Sequence, residues 1–234
     1  MKEHTEIICV IDRSGSMESI KNDAIGGFNS FLNDQKSISG SASLTLVLFN
    51  NRYQLVHDNV PLSDVQPLNE ESYKASGTTA LFYAIGKTID DVGVRLANAH
   101  EDERPNKILF IIITDGEENA SHHFNKVVNN DSFSSRTVRE PLYDEEKINY
   151  MITHQREKYN WEFVFLAANQ DAMKTADKLS ISRGNTMNFS STPNSVNTAY
   201  SNVSNMSKRY RAATAGGLNG NLFESNEQDV RDSK

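Results

Sequence analysis

The stretch KILFIIIT, Lys107 to Thr114, constrains the fold more than any other part of the chain. Every residue between the lysine and the threonine is apolar, so both alternating faces of an extended segment would be apolar. A strand with one wet face alternates apolar and polar residues. A run that is apolar on both faces predicts a central parallel strand covered by helices on both sides. It is too short to span a bilayer, and no apolar run in the 234 residues approaches the ~18 residues that a spanning helix needs.

Strands and helices alternate around this segment. Extended apolar runs are read at Glu6 to Ile11, Ser43 to Asn50 and Trp161 to Asn169. NRYQLVHD follows the second of these after an Asn-Asn turn and predicts a hairpin partner, and NTMNFS predicts a short edge strand. Helical periodicity runs from Met17 to Gln35, where Ile20, Ala24, Ile25, Phe28, Phe31 and Leu32 share a face, and from Thr79 to Ala99. Further helices are expected at Pro141 to Tyr159, at Asp171 to Leu179 and after the cap-and-proline signal STPNS. Asp58 to Ser76 reads as loop. The alternation predicts an α/β fold of three layers, doubly wound and Rossmann-like, with a mostly parallel sheet and one antiparallel edge strand. With 37% apolar residues, the chain can bury one core, so a single domain is expected over residues 1–214. A polar insertion is expected at about 122–140 and a disordered tail over 215–234.

Composition narrows the function. The net charge of −7 and the absence of a Lys/Arg cluster argue against a nucleic-acid partner. One cysteine, Cys9, excludes an intramolecular disulfide and reads as a core residue. The opening MKEHTEIICVID reaches a strand with no basic segment before a long apolar one, so no signal peptide is read. The expectation is a soluble, cytoplasmic protein with no membrane contact.

In doubly wound sheets the ligand site lies at the carboxyl ends of the strands. The three best strands end in Asp12-Arg-Ser-Gly-Ser, in Phe49-Asn-Asn and in Thr114-Asp115-Gly116. Asp12, Ser14 and Ser16 alternate across a strand-to-helix turn, with Gly15 allowing the bend. Thr78 and Thr79 stand just before the second helix. These residues would deliver carboxylate and hydroxyl oxygens, and no imidazole or thiol, to one edge. Such donors suit a hard divalent cation, Mg²⁺ best, with Mn²⁺ as the alternative.

In this order and context, the motifs DRSGS, GTTALFYAI and ITDGEEN resemble those of a von Willebrand factor type A (VWA) domain with an intact metal-ion-dependent adhesion site. The resemblance covers roughly Glu6 to Arg211. It implies Asp12, Ser14, Ser16, Thr79 and Asp115 as metal ligands, with Thr78 as the alternative to Thr79 or as a helix cap. It also implies binding without catalysis, through a metal position completed by an Asp or Glu carboxylate from a protein partner. Arg13, Gly116, Glu117 and Asn119 are the expected partner-facing residues, and Glu117 and Glu118 either tune the charge of the site or form a solvated turn. FLAANQDA and AYSNVSNMSKRYR resemble intracellular bacterial or phage members of undefined role.

The polar stretch His122 to Glu140 departs from simpler members. It is either an added part of the partner surface or a floppy insertion. Two alternatives stand beside binding. A metal-dependent hydrolase would need a positioned base or nucleophile, and none has convincing spacing; His122 and His123 lack the other ligands of a zinc site. A scaffold subunit working with an ATPase would need that motor on a separate protein, because the chain carries no phosphate loop.

Overall fold

Strand β4 (Lys107–Thr114) is buried at every position, as its double-faced apolar sequence predicts. The computed structural model describes residues 3–121, 143–168, 172–213 and 222–223. Five further strands are present: β1 (His4–Asp12), β2 (Ser41–Phe49), β3 (Tyr53–Pro61), β5 (Glu162–Ala167) and β6 (Thr186–Asn188). They form a six-stranded sheet of order β3-β2-β1-β4-β5-β6. All neighbours pair in parallel except β3, which runs antiparallel to β2 at one edge. The order reverses direction between β1 and β4, which is the switch point where doubly wound sheets open a crevice.

Five α-helices among the described residues cover the two faces: α1 (Lys21–Ser37), α2 (Leu81–Asn98), α3 (Glu145–Tyr159), α4 (Ala172–Lys178) and α5 (Pro193–Ala212). The pleat sorts the strand residues between them. Ile7, Cys9 and Ile11 of β1 and Leu109, Ile111 and Ile113 of β4 face α1 and α5, packing with Phe28, Phe31 and Met206. Ile8, Val10, Phe110 and Ile112 face the other way, toward Ile85 and Ile89 of α2 and Ile148 and Ile152 of α3. Cys9 is a buried free thiol in the first of these layers, and burial pushes its pKa up.

Several boundaries differ from the sequence expectation. The first helix is α-helical only from Lys21; Gly15–Ile20 is wound as a tighter 3-10 helix that buries Met17 and Ile20. The short pitch lets the chain leave the strand end while still reaching the core. The hairpin strand starts two residues later than expected and extends to Pro61. It is mostly exposed, its pairing with β2 is irregular at Leu44, Leu46 and Val47, and Asn59 has a left-handed φ of 50°. The expected insertion at 122–140, the start of the third helix at Pro141, and Asn169 and Asp171 lie outside the described residues.

Of the expected tail, residues 222 and 223 are described, and both are docked on the fold. Leu222 is buried in the α1–α5 layer, its N–H donates to Asn185 Oδ1 at 2.9 Å, and the Phe223 N–H donates to the Gly184 carbonyl at 2.8 Å. At the amino end of the sheet, Lys107 carries an unexpected structural role. Its buried Nζ donates to the carbonyls of Tyr210, Arg211 and Ala213 at 3.2, 2.9 and 2.6 Å, so a cation satisfies the last carbonyls of α5.

The α1–α5 contact is close enough to dictate residue size. A Cβ on Gly27 would lie 2.3 Å from the Tyr200 ring, whereas one on Gly26 would meet nothing within 4 Å. Gly27→Ala is expected to destabilise the fold by about 1–3 kcal/mol through overpacking. Gly26→Ala, on the exposed face of the same helix, should be neutral or stabilising by up to about 1 kcal/mol. Urea unfolding of the two variants checks both signs.

Candidate metal centre

The parallel register sets the site. Ile11 lies opposite Ile113, so Asp12 and Thr114 leave the sheet side by side. The Thr114 hydroxyl donates to Asp12 Oδ2 at 2.7 Å, and the Ser14 N–H donates to Asp12 Oδ1 at 2.6 Å. Asp12 is fully buried, and each of its oxygens therefore has a partner from within the fold. Tyr73, also fully buried, donates its hydroxyl to the Asp12 carbonyl at 2.5 Å. Backbone, side chain and neighbouring strand together fix this residue.

The other expected donors follow outward. Ser14 is buried and its hydroxyl lies 3.0 Å from that of Ser16. Ser16 donates to Asp115 Oδ1 at 2.7 Å. Thr79 is buried and Thr78 is exposed. A Cβ on residue 116 would lie 2.9 Å from Thr79 Oγ1 and 3.6 Å from Ser16 Oγ, so the Thr79 hydroxyl faces the cluster across Gly116. A side chain there would press on the Thr79 hydroxyl, whereas 3.6 Å from Ser16 is ordinary contact. The structure thus brings Asp12, Ser14, Ser16, Thr79 and Asp115 to one edge, as the sequence predicts, and it is Thr79 rather than Thr78 that faces inward.

A lattice of backbone bonds holds the loops that carry these donors. Arg13 N–H donates to the Phe49 carbonyl at 2.7 Å, Ser76 N–H to the Arg13 carbonyl at 2.9 Å, and Gly15 N–H to the Gly77 carbonyl at 2.9 Å. Asn50, buried, joins three segments. Its Nδ2 donates to the Ser76 carbonyl at 2.6 Å, its Oδ1 accepts from Arg52 N–H at 2.8 Å, and its carbonyl accepts from Ala80 N–H at 3.0 Å.

The residues expected to face a partner divide. Arg13 is half-buried and Glu117 is exposed. Asn119 is exposed, but its Oδ1 accepts from the Thr79 N–H at 2.9 Å and its own N–H donates to the Thr79 carbonyl at 3.0 Å, so it positions Thr79. Gly116 supplies the clearance already described. Glu118 turns away from the site: Oε2 accepts from Phe82 N–H at 2.8 Å and Oε1 from Ala120 and Ser121 N–H at 2.9 and 2.6 Å. It caps α2 from outside the helix; Thr78 does not, since the residue at the cap position is Ala80. Sequence reasoning missed Tyr73, Asn50 and this role of Glu118. The signal for Thr114 was available, as a hydroxyl in the last position of the central strand.

Electrostatics favour a positive guest. Burial pushes the Asp12 carboxyl up to about 6, against the pull of the Thr114 and Ser14 bonds, and the charge of Asp115 adds to the rise. Burial also raises Asp115, opposed by its bond from Ser16. Two carboxylates that resist ionisation when alone can gain a proton or a cation. Among the described residues, no three of His, Cys, Asp and Glu converge on one point, so the donor set is rich in hydroxyls. Such oxygens could hold a hard divalent cation and leave it charge to spend on a further anion.

Comparison with known proteins places the fold. No family model matches the sequence, and no curated protein matches it. Solved structures do. The chain is similar to von Willebrand factor type A from Catenulispora acidiphila, with 13% identity and a TM-score of 0.54 over 88% of this chain and 43% of that one. It is similar to the manganese-loaded TRAP protein of Plasmodium vivax, with 14% identity and a TM-score of 0.53 over 85% and 71%. It is also similar to proximal thread matrix protein 1 from the mussel byssus with a zinc-occupied MIDAS motif, with 14% identity and a TM-score of 0.55 over 88% and 46%. The fold is that of VWA domains. The chain spans less than half the length of two of these three structures.

The raised Asp12 pKa has a testable sign. The folded state holds this proton more tightly than an unfolded chain, whose Asp titrates near its ordinary ~3.9. Asp12 therefore adds stability that is full below about pH 4, and the stability is lost as pH rises through about 6. In chelator, the wild type is expected to lose more thermal stability between pH 4.5 and pH 7.5 than Asp12→Asn, whose side chain carries no charge at either pH. Melting curves of the pair at both pH values check this.

Proposed function

We propose that the chain is a cation-dependent protein-binding domain: Asp12, Ser14, Ser16, Thr79 and Asp115 hold Mg²⁺, and an Asp or Glu of a partner protein completes the site. The observation that carries this reading is the spacing of the oxygens. Metal–oxygen bonds of ~2.0–2.1 Å place adjacent octahedral ligands ~3 Å apart. Ser14 and Ser16 hydroxyls are 3.0 Å apart, and Ser16 Oγ and Asp115 Oδ1 are 2.7 Å apart. The same short contacts serve as hydrogen bonds without a cation, so the loops are already gathered before an ion arrives.

The structural neighbours support a divalent cation at this place in the fold, one being manganese-loaded and another carrying zinc at a MIDAS motif. A pilus adhesin, SpaC from Lactobacillus rhamnosus GG, is also among the neighbours, which supports binding as the role. Within the chain, Thr79 and Ser14 are buried while Ser16 is exposed and Asp115 half-exposed. The donor set is therefore closed toward the sheet and open toward solvent, where a partner carboxylate would approach. A bound cation supplies a positive charge for that carboxylate; the chain supplies orientation and excludes competing donors from the sheet side.

Calorimetric titration with Mg²⁺ and Mn²⁺ tests the ligand set. Asp12→Ala and Asp115→Ala should abolish measurable binding. Thr114→Val removes only the hydroxyl that orients Asp12 and should weaken it about tenfold. Binding of either ion by Asp12→Ala with wild-type affinity would sink the assignment. Capture of a partner should be lost in EDTA and restored by added Mg²⁺.

A further inference from the structure

The rim of the site is electrically lopsided. Toward β4 it carries Asp115 and Glu117. Toward β2 it carries Arg13 and Arg52, and neither makes an ion pair among the described residues. Backbone bonds bring the segments that carry these two residues together. Arg13 N–H is bonded to the Phe49 carbonyl, and Arg52 stands three residues beyond Phe49 in the turn that Asn50 closes, through the Asn50 N–H to Arg52 carbonyl bond of 3.1 Å and the Arg52 N–H to Asn50 Oδ1 bond of 2.8 Å. Arg52 is exposed and Arg13 half-buried. The Arg13 Nε is buried with no hydrogen-bond partner among the described residues, and Arg13 feels the positive charge of Arg52. A buried donor left unbonded beside a like charge is a standing cost. An anion seated against the two guanidinium groups would offset the like charge, since guanidinium forks match carboxylates in shape and charge.

We propose that Arg13 and Arg52 form a second anion subsite beside the cation position, so that the partner segment presents two acids: one carboxylate for the cation and one for the paired guanidinium groups. This deepens the cation-binding reading and rests on it. The polarity of the rim also orients the segment, with the second acid lying toward β2 and away from Glu117.

Short acetylated and amidated peptides test this: Asp-Asp, Asp-Gly-Asp and Asp-Gly-Gly-Asp, each beside versions with one Asp replaced by Asn. They are titrated by NMR into the full chain in millimolar Mg²⁺, with and without EDTA. One two-acid spacing is expected to bind roughly tenfold more tightly than its single-acid versions. Arg52→Gln and Arg13→Gln should each reduce that advantage to the single-acid level. Arg52 is an exposed turn residue, so its variant carries the test even if Arg13→Gln does not fold. Equal binding of one-acid and two-acid peptides, lost in EDTA, overturns the subsite and leaves the cation reading intact. A two-acid advantage that survives Arg52→Gln overturns it as well. Binding that ignores EDTA, or no binding of any peptide, overturns the cation reading and the subsite with it.

Discussion

A carboxylate at the end of a buried strand must be paid for, and the way Asp12 is accommodated organises the whole carboxyl edge. Desolvating an ionised group costs several kcal/mol unless it is fully hydrogen-bonded. Here one oxygen takes the Ser14 N–H and the other the Thr114 hydroxyl. The first bond bends the chain into the serine-bearing loop. The second ties β1 to β4 at the switch point and sets the direction in which Asp115 leaves. Tyr73 then anchors the Asp12 carbonyl, which brings the segment before α2 across the strand ends and delivers Thr79.

That arrangement explains why donors from three distant points need little reorganisation to meet. Thr79 is held on both sides, by Asn119 through two bonds and through Ala80 by Asn50. Gly116 is the clearance between Thr79 and Ser16. Preorganised loops lower the entropy lost on binding, and loops on a rigid sheet are the usual place for recognition.

The sequence made the architecture legible because burial on both faces leaves a mark in composition. KILFIIIT could only be an inner strand, and β4 has the expected bounds. The strand-end oxygens were legible because strand ends are where side chains escape the core. What was not legible depends on contacts distant in sequence. Glu118 caps α2 across a separation of 36 residues, and Tyr73 reaches Asp12 across 61; no local pattern records either. The choice between Thr78 and Thr79 turns on which neighbour is buried, and adjacent threonines look alike in sequence. The 3-10 winding of Gly15–Ile20 escapes periodicity because its apolar residues also fit the start of an α-helix. Leu222 was hidden by its surroundings, since a polar, glycine-rich stretch gives no sign of one docked side chain.

The two lateral margins of the sheet have a consequence for how a partner can approach. A long, regular outer strand is an open template on which another chain can add a strand by backbone bonds alone. Neither margin offers one. β6 is three residues long. β3 pairs irregularly with β2, carries a left-handed Asn59 and stops at Pro61, whose nitrogen has no hydrogen to donate. Recognition by strand addition is thereby discouraged on both flanks, along with the indiscriminate self-association that exposed strands invite. That leaves the loops at the carboxyl end of the sheet, not its flanks, as the place where the proposed recognition would occur.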